Sequence, residues 1–271
     1  MIQPSSYTPK FATVNGIKLA YSELGTETSH TILFIHGLGE NMQTWFKNIE
    51  GLSSSYHCIA LDLPGHGFSQ TGDYPYTPFF FSEIISGFIN QLGLCEVNLI
   101  GHSLGGQIAI ILAISQSSLI EKIVLISPAG FETFTDKDKR WLKEHSNNYT
   151  NPLKGFDFLS LWSSNKAPSN EVFKSVVLGM LDQPVFDNLH LITQPVFVIF
   201  GVDDPFIPNR FLHPLQTPKS VAEIGTSQIA NARLILINNA GHFVNIERVG
   251  EVNELINKTY LNSAAKVAVF N

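Results

Sequence analysis

A chain of 271 residues with 44% hydrophobic side chains can build one large core, and a net charge of −6 with only 15% charged residues leaves no basic surface for nucleic-acid phosphates. The first ten residues lack a basic start followed by an apolar stretch, and no uncharged apolar run is long enough to span a bilayer. No signal peptide and no membrane span are therefore expected, and cytoplasm is the expected compartment. Cys58 and Cys95 show no metal-ligand spacing and are expected to be reduced core thiols.

Residues 11–21 read as a hairpin turning at Asn15-Gly16, a pair that tolerates the positive φ of a two-residue turn. Residues 31–35 form a short continuous apolar strand, 42–52 a helix, and 57–61 a second buried strand. Over 77–92, Phe80, Ile84, Ile85, Phe88, Ile89 and Leu92 recur at helical spacing, and Gly93 closes the helix. A strand at 97–100, an apolar helix following Ser103 and a strand at 122–126 come next. Two more apolar strands, 196–200 and 233–237, precede a terminal helix over 249–261. The densest charged run, 136–140, mixes both signs and reads as a solvated helix face.

Strands alternating with helices imply right-handed crossovers. The expected fold is α/β: a mostly parallel central sheet with an antiparallel N-terminal strand and helices on both faces. Between residues 131 and 190 the pattern breaks into polar, aromatic and helical pieces carrying Trp141, Tyr149, Phe156, Phe158, Leu159, Trp162, Phe173, Val176, Val177 and Met180. This segment is expected to be an inserted helical cap, with 1–130 and 191–271 forming the core domain. Most of its apolar side chains are expected to pack the cap onto the core, and some to line a pocket.

Unusual residues follow the strands. Gly101-His102-Ser103-Leu104-Gly105 stands between a strand and a helix, and a serine at such a turn has its hydroxyl lifted above the sheet. The hydroxyl needs a base to become a nucleophile; without one, Ser103 is a helix N-cap. His36-Gly37-Leu38-Gly39 follows 31–35, and Asp62-Leu63-Pro64-Gly65-His66-Gly67-Phe68-Ser69 follows 57–61. Gly201-Val202-Asp203-Asp204-Pro205-Phe206-Ile207-Pro208 follows 196–200, and Asn238-Asn239-Ala240-Gly241-His242-Phe243 follows 233–237. Carboxyl ends of parallel strands share one rim, so all five segments converge there.

These five motifs, in this order and each after a strand, resemble the α/β-hydrolase fold superfamily, in its serine-nucleophile, esterase- and lipase-like branch with a helical cap, over residues 11–261. The resemblance implies that Ser103 is the nucleophile and His242 its base. It implies Asp204 as the acid, because Gly201, Asp204 and Pro208 match the family spacing, while Asp203 falls one step early as a turn residue. Some relatives carry the acid after the preceding strand, where this chain has Glu132. The oxyanion donors would be the backbone N–H groups of Leu38 and Leu104.

No cofactor and no metal are implied. His36, His66 and His102 lie near the rim with His242, but they belong to turn motifs and lack ligand spacing; His102 is expected to hydrogen-bond beneath the turn. The implied activity is cofactor-free hydrolysis of a small-molecule carboxylic ester through an acyl-enzyme. The Phe, Trp and Leu content of the cap favours an apolar or aromatic substrate. Serine at the turn points away from the dehalogenase and epoxide hydrolase branches, which place aspartate there. Two alternatives share the machinery. Carbon–carbon hydrolases of vinylogous diketones carry Asn-Ser-Met at the turn and tryptophan after the histidine, where this chain has His102, Leu104 and Phe243. Ligand-sensing members keep the three residues with slow turnover.

Overall fold

The computed structural model describes residues 8–25, 30–145 and 167–261. Asn15 and Gly16 take φ of 50° and 80°, and this turn joins β1 (Lys10–Val14) to β2 (Ile17–Leu24) as an antiparallel hairpin. The chain then lays down β3 (Thr31–Ile35), β4 (His57–Leu61), β5 (Val97–His102), β6 (Ile120–Ile126), β7 (Val196–Gly201) and β8 (Ala232–Ile237). These six run parallel, β2 pairs antiparallel with β4, and the eight-stranded sheet has the order β1-β2-β4-β3-β5-β6-β7-β8.

Every residue of β3 and β5 is buried, as expected for central strands covered on both faces. The strand period of two sorts β3 between two apolar layers. Leu33 and Ile35 join Phe81, Phe88 and Ile108 on one side, whereas Ile32 and Phe34 join Trp45, Ile49 and Val252 on the other. The first layer is covered by α2 (Pro78–Gln91) and α3 (Leu104–Ser115), and the second by α1 (Phe46–Leu52) and α8 (Val249–Leu261). Helix α2 starts where Thr77 Oγ1 accepts from the Phe80 N–H and Pro78 occupies the first turn, where its missing donor goes unmissed.

Two expectations need adjustment, and one helix was not expected. The helix expected over 42–52 begins as a 3-10 turn, Met42–Trp45, before α1. The helix Pro218–Ser227 went unread, although Thr217 and Ser220 form a capping box at its start. Cys58 is buried as expected, but Cys95 is exposed, because it lies in the turn between α2 and β5 rather than inside a strand.

Between β6 and β7 lie α4 (Asp136–Glu144) and α5 (Asn170–Asp182). Phe173 and Val176 on α5 are buried, and Gln107 of α3 donates to the carbonyls of Met180 (3.3 Å) and Gln183 (2.9 Å). Trp141 of α4 stacks on His145 and on Phe211, with centroids 4.3 and 4.8 Å apart. Tyr149, Phe156, Phe158, Leu159 and Trp162 lie outside the described residues. No helix among the described residues is long and apolar enough to cross a membrane.

The approach of α3 to the sheet leaves no room for side chains at its start. A Cβ on Gly105 would collide with the Ile35 carbonyl, and one on Gly101 with the Gly105 carbonyl. Backbone oxygens inside a paired strand cannot yield cheaply. Gly105→Ala is therefore expected to lower the unfolding free energy by about 3 kcal/mol, read from urea denaturation; an unchanged midpoint would contradict the packing described.

Candidate active site

Ser103 links the last residue of β5 to the first of α3 with φ 52° and ψ −115°. A positive φ is rare for a side chain with a Cβ, so the surrounding structure must enforce it. The enforcement is visible: Ser103 N–H donates to the Ile126 carbonyl at the end of β6 (3.0 Å), and the Ser103 carbonyl accepts from Gly106 (2.9 Å) and Ala129 (2.9 Å). Leu104, fully buried, opens α3, and N–H groups of a first helical turn have no acceptor within their helix. Leu38 sits in the turn over residues 37–40, closed by the Glu40 N–H on the Gly37 carbonyl (3.3 Å), with Gly39 at φ 78°.

Two further loops bring Asp204 and His242 together. His242 Nδ1 lies 2.8 Å from Asp204 Oδ2. The other carboxylate oxygen, Oδ1, accepts from the N–H groups of Phe206 (2.8 Å) and Ile207 (3.0 Å), so the side chain is fixed at both ends. Burial would raise the Asp204 pKa, but the facing imidazole and these three hydrogen bonds outweigh it and hold the carboxyl below its ordinary value. With Nδ1–H committed to the carboxylate, Nε2 is the nitrogen of a neutral His242 that can take a proton. The loop itself is bracketed by Glu247, whose carboxylate accepts from Gly241 (2.6 Å) and Phe243 (3.1 Å), the residues on either side of His242.

The competing carboxylates sit elsewhere. Asp203 is exposed, and its backbone N–H donates to the Ala240 carbonyl (2.9 Å). Glu132 is bound to His213 Nδ1 (2.6 Å) and accepts from the Asn209 N–H (2.8 Å). Burial pushes the Glu132 carboxyl up, and those two hydrogen bonds offset this only in part.

The remaining rim histidines are separately engaged. His36 donates through Nδ1 to the Gly37 carbonyl (2.8 Å) and accepts at Nε2 from the Leu63 N–H (3.0 Å), which fixes a neutral tautomer. His66 donates through Nδ1 to the Pro64 carbonyl (3.1 Å). Burial drives His36 down to about 4 and His66 to about 3. His102 behaves differently. Its Nε2–H donates to the His242 carbonyl (2.9 Å), and its Nδ1 lies 2.6 Å from Oε1 of Glu40. Burial alone would lower its pKa, but the Glu40 charge and these two hydrogen bonds carry it above the ordinary histidine value. Glu40 is likewise held below the ordinary carboxylate value, since His102 outweighs burial.

Glu40 was not singled out from the sequence. It stands in a polar loop, and its partner lies 62 residues away. Among the described residues, no group of three or more His, Cys, Asp or Glu is placed to hold a metal ion.

Residues 30–160 match a family model described as alpha/beta hydrolase fold. The structure superposes on an enol-lactonase from Burkholderia xenovorans LB400 with a TM-score of 0.77, covering 93% of this chain and 100% of that one at 20% identity. The chain has the α/β-hydrolase fold. Among curated relatives, the dihydrolipoyllysine-residue acetyltransferase component of an acetoin cleaving system from Cupriavidus necator is 25% identical over 268 residues, 92% of this chain and 68% of the relative. A monoacylglycerol lipase of Xenopus laevis is 24% identical over 272 residues, 88% of this chain and 78% of the relative.

The buried histidines make the fold sensitive to acid with a definite sign. His36 and His66 stay neutral when folded but take up protons near pH 6.5 when unfolded, so their presence costs nothing above that pH and destabilises progressively below it, down to about 4 and about 3. Each contributes a slope of roughly 1.4 kcal/mol per pH unit. His66→Asn, which keeps a donor where Nδ1 sits, is expected to remove about one such slope between pH 6 and 4.5 in urea titrations. Parallel curves for the parent and this variant would refute the assignment.

Proposed function

We propose that the protein is a serine hydrolase acting on a carboxylic ester of a small molecule, with Ser103, His242 and Asp204 as its catalytic triad. The observation that carries this reading is the 2.8 Å hydrogen bond between a buried aspartate and the histidine of the neighbouring rim loop, beside a serine held at positive φ on a strand-to-helix turn. His102, the residue before Ser103, packs against the His242 ring with centroids 4.8 Å apart, so elbow and base loop are in contact.

In this reading Ser103 Oγ attacks the ester carbonyl while His242 Nε2 takes the hydroxyl proton. Asp204 holds Nδ1–H and stabilises the imidazolium. The tetrahedral oxyanion receives the N–H groups of Leu104 and Leu38, typically contributing about 3 kcal/mol of transition-state stabilisation each. Collapse breaks the bond to the alkoxide, which leaves as the alcohol with the proton from His242. Water, deprotonated by the same nitrogen, then cleaves the acyl-enzyme to the acid and free Ser103.

The ester class is supported by chemistry that two relatives have in common, since a monoacylglycerol lipase and an enol-lactonase both cleave carboxylic esters. Residues 131–190 are proposed as a cap over this rim. Support comes from α5, which contacts the start of the catalytic helix through Gln107 and reaches the β4 loop, where Val172 lies against Gly65.

p-Nitrophenyl acetate and butyrate are suitable probes. Ser103→Ala and His242→Ala are expected to lower kcat by roughly 10⁴-fold or more, and Asp204→Asn by about 10³-fold. Asp203→Asn and Glu132→Gln are expected to stay within about 3-fold of the parent, in line with substitutions that touch no reacting group. A Ser103→Ala protein that retains turnover, or a fluorophosphonate that labels another residue, would refute the nucleophile. Full activity in Asp204→Asn would refute the acid.

A further inference from the structure

Resting on the triad reading, we propose that Glu40 and His102 are positioning residues, a buried hydrogen-bonded brace that locks the oxyanion loop, the elbow and the histidine loop together. Three contacts define it. Glu40 closes the turn that carries Leu38 through its own N–H, and its carboxylate folds back over that turn; a Cβ on Gly37 would collide with Oε1 and come within 3.0 Å of His102 Nδ1. The carboxylate meets His102 Nδ1 at 2.6 Å, and His102 precedes Ser103 directly. From its other nitrogen, His102 donates to the backbone carbonyl of His242 (2.9 Å).

The brace is dry. Glu40 is 2% exposed and His102 0%, and among the described residues Glu40 Oε2 has no hydrogen-bond partner. A carboxylate so buried, with one oxygen unsatisfied, is a net cost to folding that an apolar residue would avoid. What the arrangement supplies is geometry: one rigid chain of atoms fixes where the Leu38 N–H, the Ser103 hydroxyl and the His242 ring stand relative to one another. Misplacement by about 1 Å at such a site costs on the order of 100-fold in rate.

The brace acts through hydrogen bonds, so Glu40→Gln should preserve it: the amide donates to Nδ1, and Nε2–H keeps the His242 carbonyl. Glu40→Leu and His102→Phe should break it. With p-nitrophenyl acetate, Glu40→Gln is expected within 3-fold of the parent kcat. The two breaking variants are expected 10- to 100-fold lower, with KM within 3-fold, and their combination no lower than either alone, because both remove one unit. Thermal unfolding separates loss of fold from loss of rate. If the breaking variants unfold, Glu40→Gln still decides: a kcat loss beyond 10-fold in that folded isostere overturns the brace. Parent-like kcat in a folded Glu40→Leu, or multiplying losses in the double variant, also overturns it.

A reading independent of turnover comes from proton NMR. The parent should show a far-downfield, slowly exchanging imidazole proton from the Glu40 bond, absent in Glu40→Leu and His102→Phe; its absence from the parent spectrum overturns the pair. A parent with this signal but without Ser103-dependent turnover refutes the hydrolase reading and leaves the hydrogen-bonded pair standing. Ser103-dependent turnover that is unaffected in a folded Glu40→Leu leaves the hydrolase reading standing and overturns the brace.

Discussion

The start of α3 lies so close to the carboxyl ends of β3 and β5 that only glycine fits at Gly101 and Gly105, and the rest of the rim is arranged around that contact. With the helix pressed against the strands, the connecting residue has to reverse direction within one step. The result is the positive φ at Ser103. The same closeness places the start of α3, whose first N–H groups have no acceptor within the helix, at the strand ends, where the proposed triad would need oxyanion donors. A looser junction would leave a serine at a helix start and little else.

Much of this was legible in the chain, and for physical reasons. Central parallel strands are buried on both faces, so β3, β4, β5 and β7 read as short continuous apolar runs, and glycine marked the turns. The choice of Asp204, the carboxylate that meets His242, over its exposed neighbour Asp203 came from the resemblance, through the match of Gly201, Asp204 and Pro208 to the family pattern. Other features were not readable. Glu40 looks like a solvated loop residue, because nothing within several positions of it reveals a partner brought in by the strand order β3-β5. Cys95 failed in the opposite sense: apolar neighbours suggested burial, but the turn preceding β5 puts it outside. Helix Pro218–Ser227 is short, and its start signal, a threonine before proline, also reads as a loop.

Four histidines gather at one rim, and their partners alone separate their roles. His36 and His66 face backbone groups in a dry environment and stay neutral over the physiological range. His102 faces a carboxylate and a carbonyl, both acceptors, so it leans toward the charged form. His242 has one nitrogen on a carboxylate, with Phe206 and Phe243 edge-on to its ring at 5.3 and 5.4 Å. Residue type says little here; the acceptor count around each ring says which proton it keeps.

The position of β8 has a consequence for how the site can fail. It is the outer strand on its side of the described sheet, paired only with β7 and mostly half-exposed, whereas β5 is buried between β3 and β6. Ser103 therefore follows the most protected strand and His242 a peripheral one. Fraying at that edge, a small opening that leaves the core intact, would withdraw His242 and leave Ser103 in place. Under the proposed triad such a molecule would be folded by every global measure and inert, so the hydrogen bonds from His102 and Glu247 to the His242 loop would set the fraction of time the protein is competent as well as its geometry.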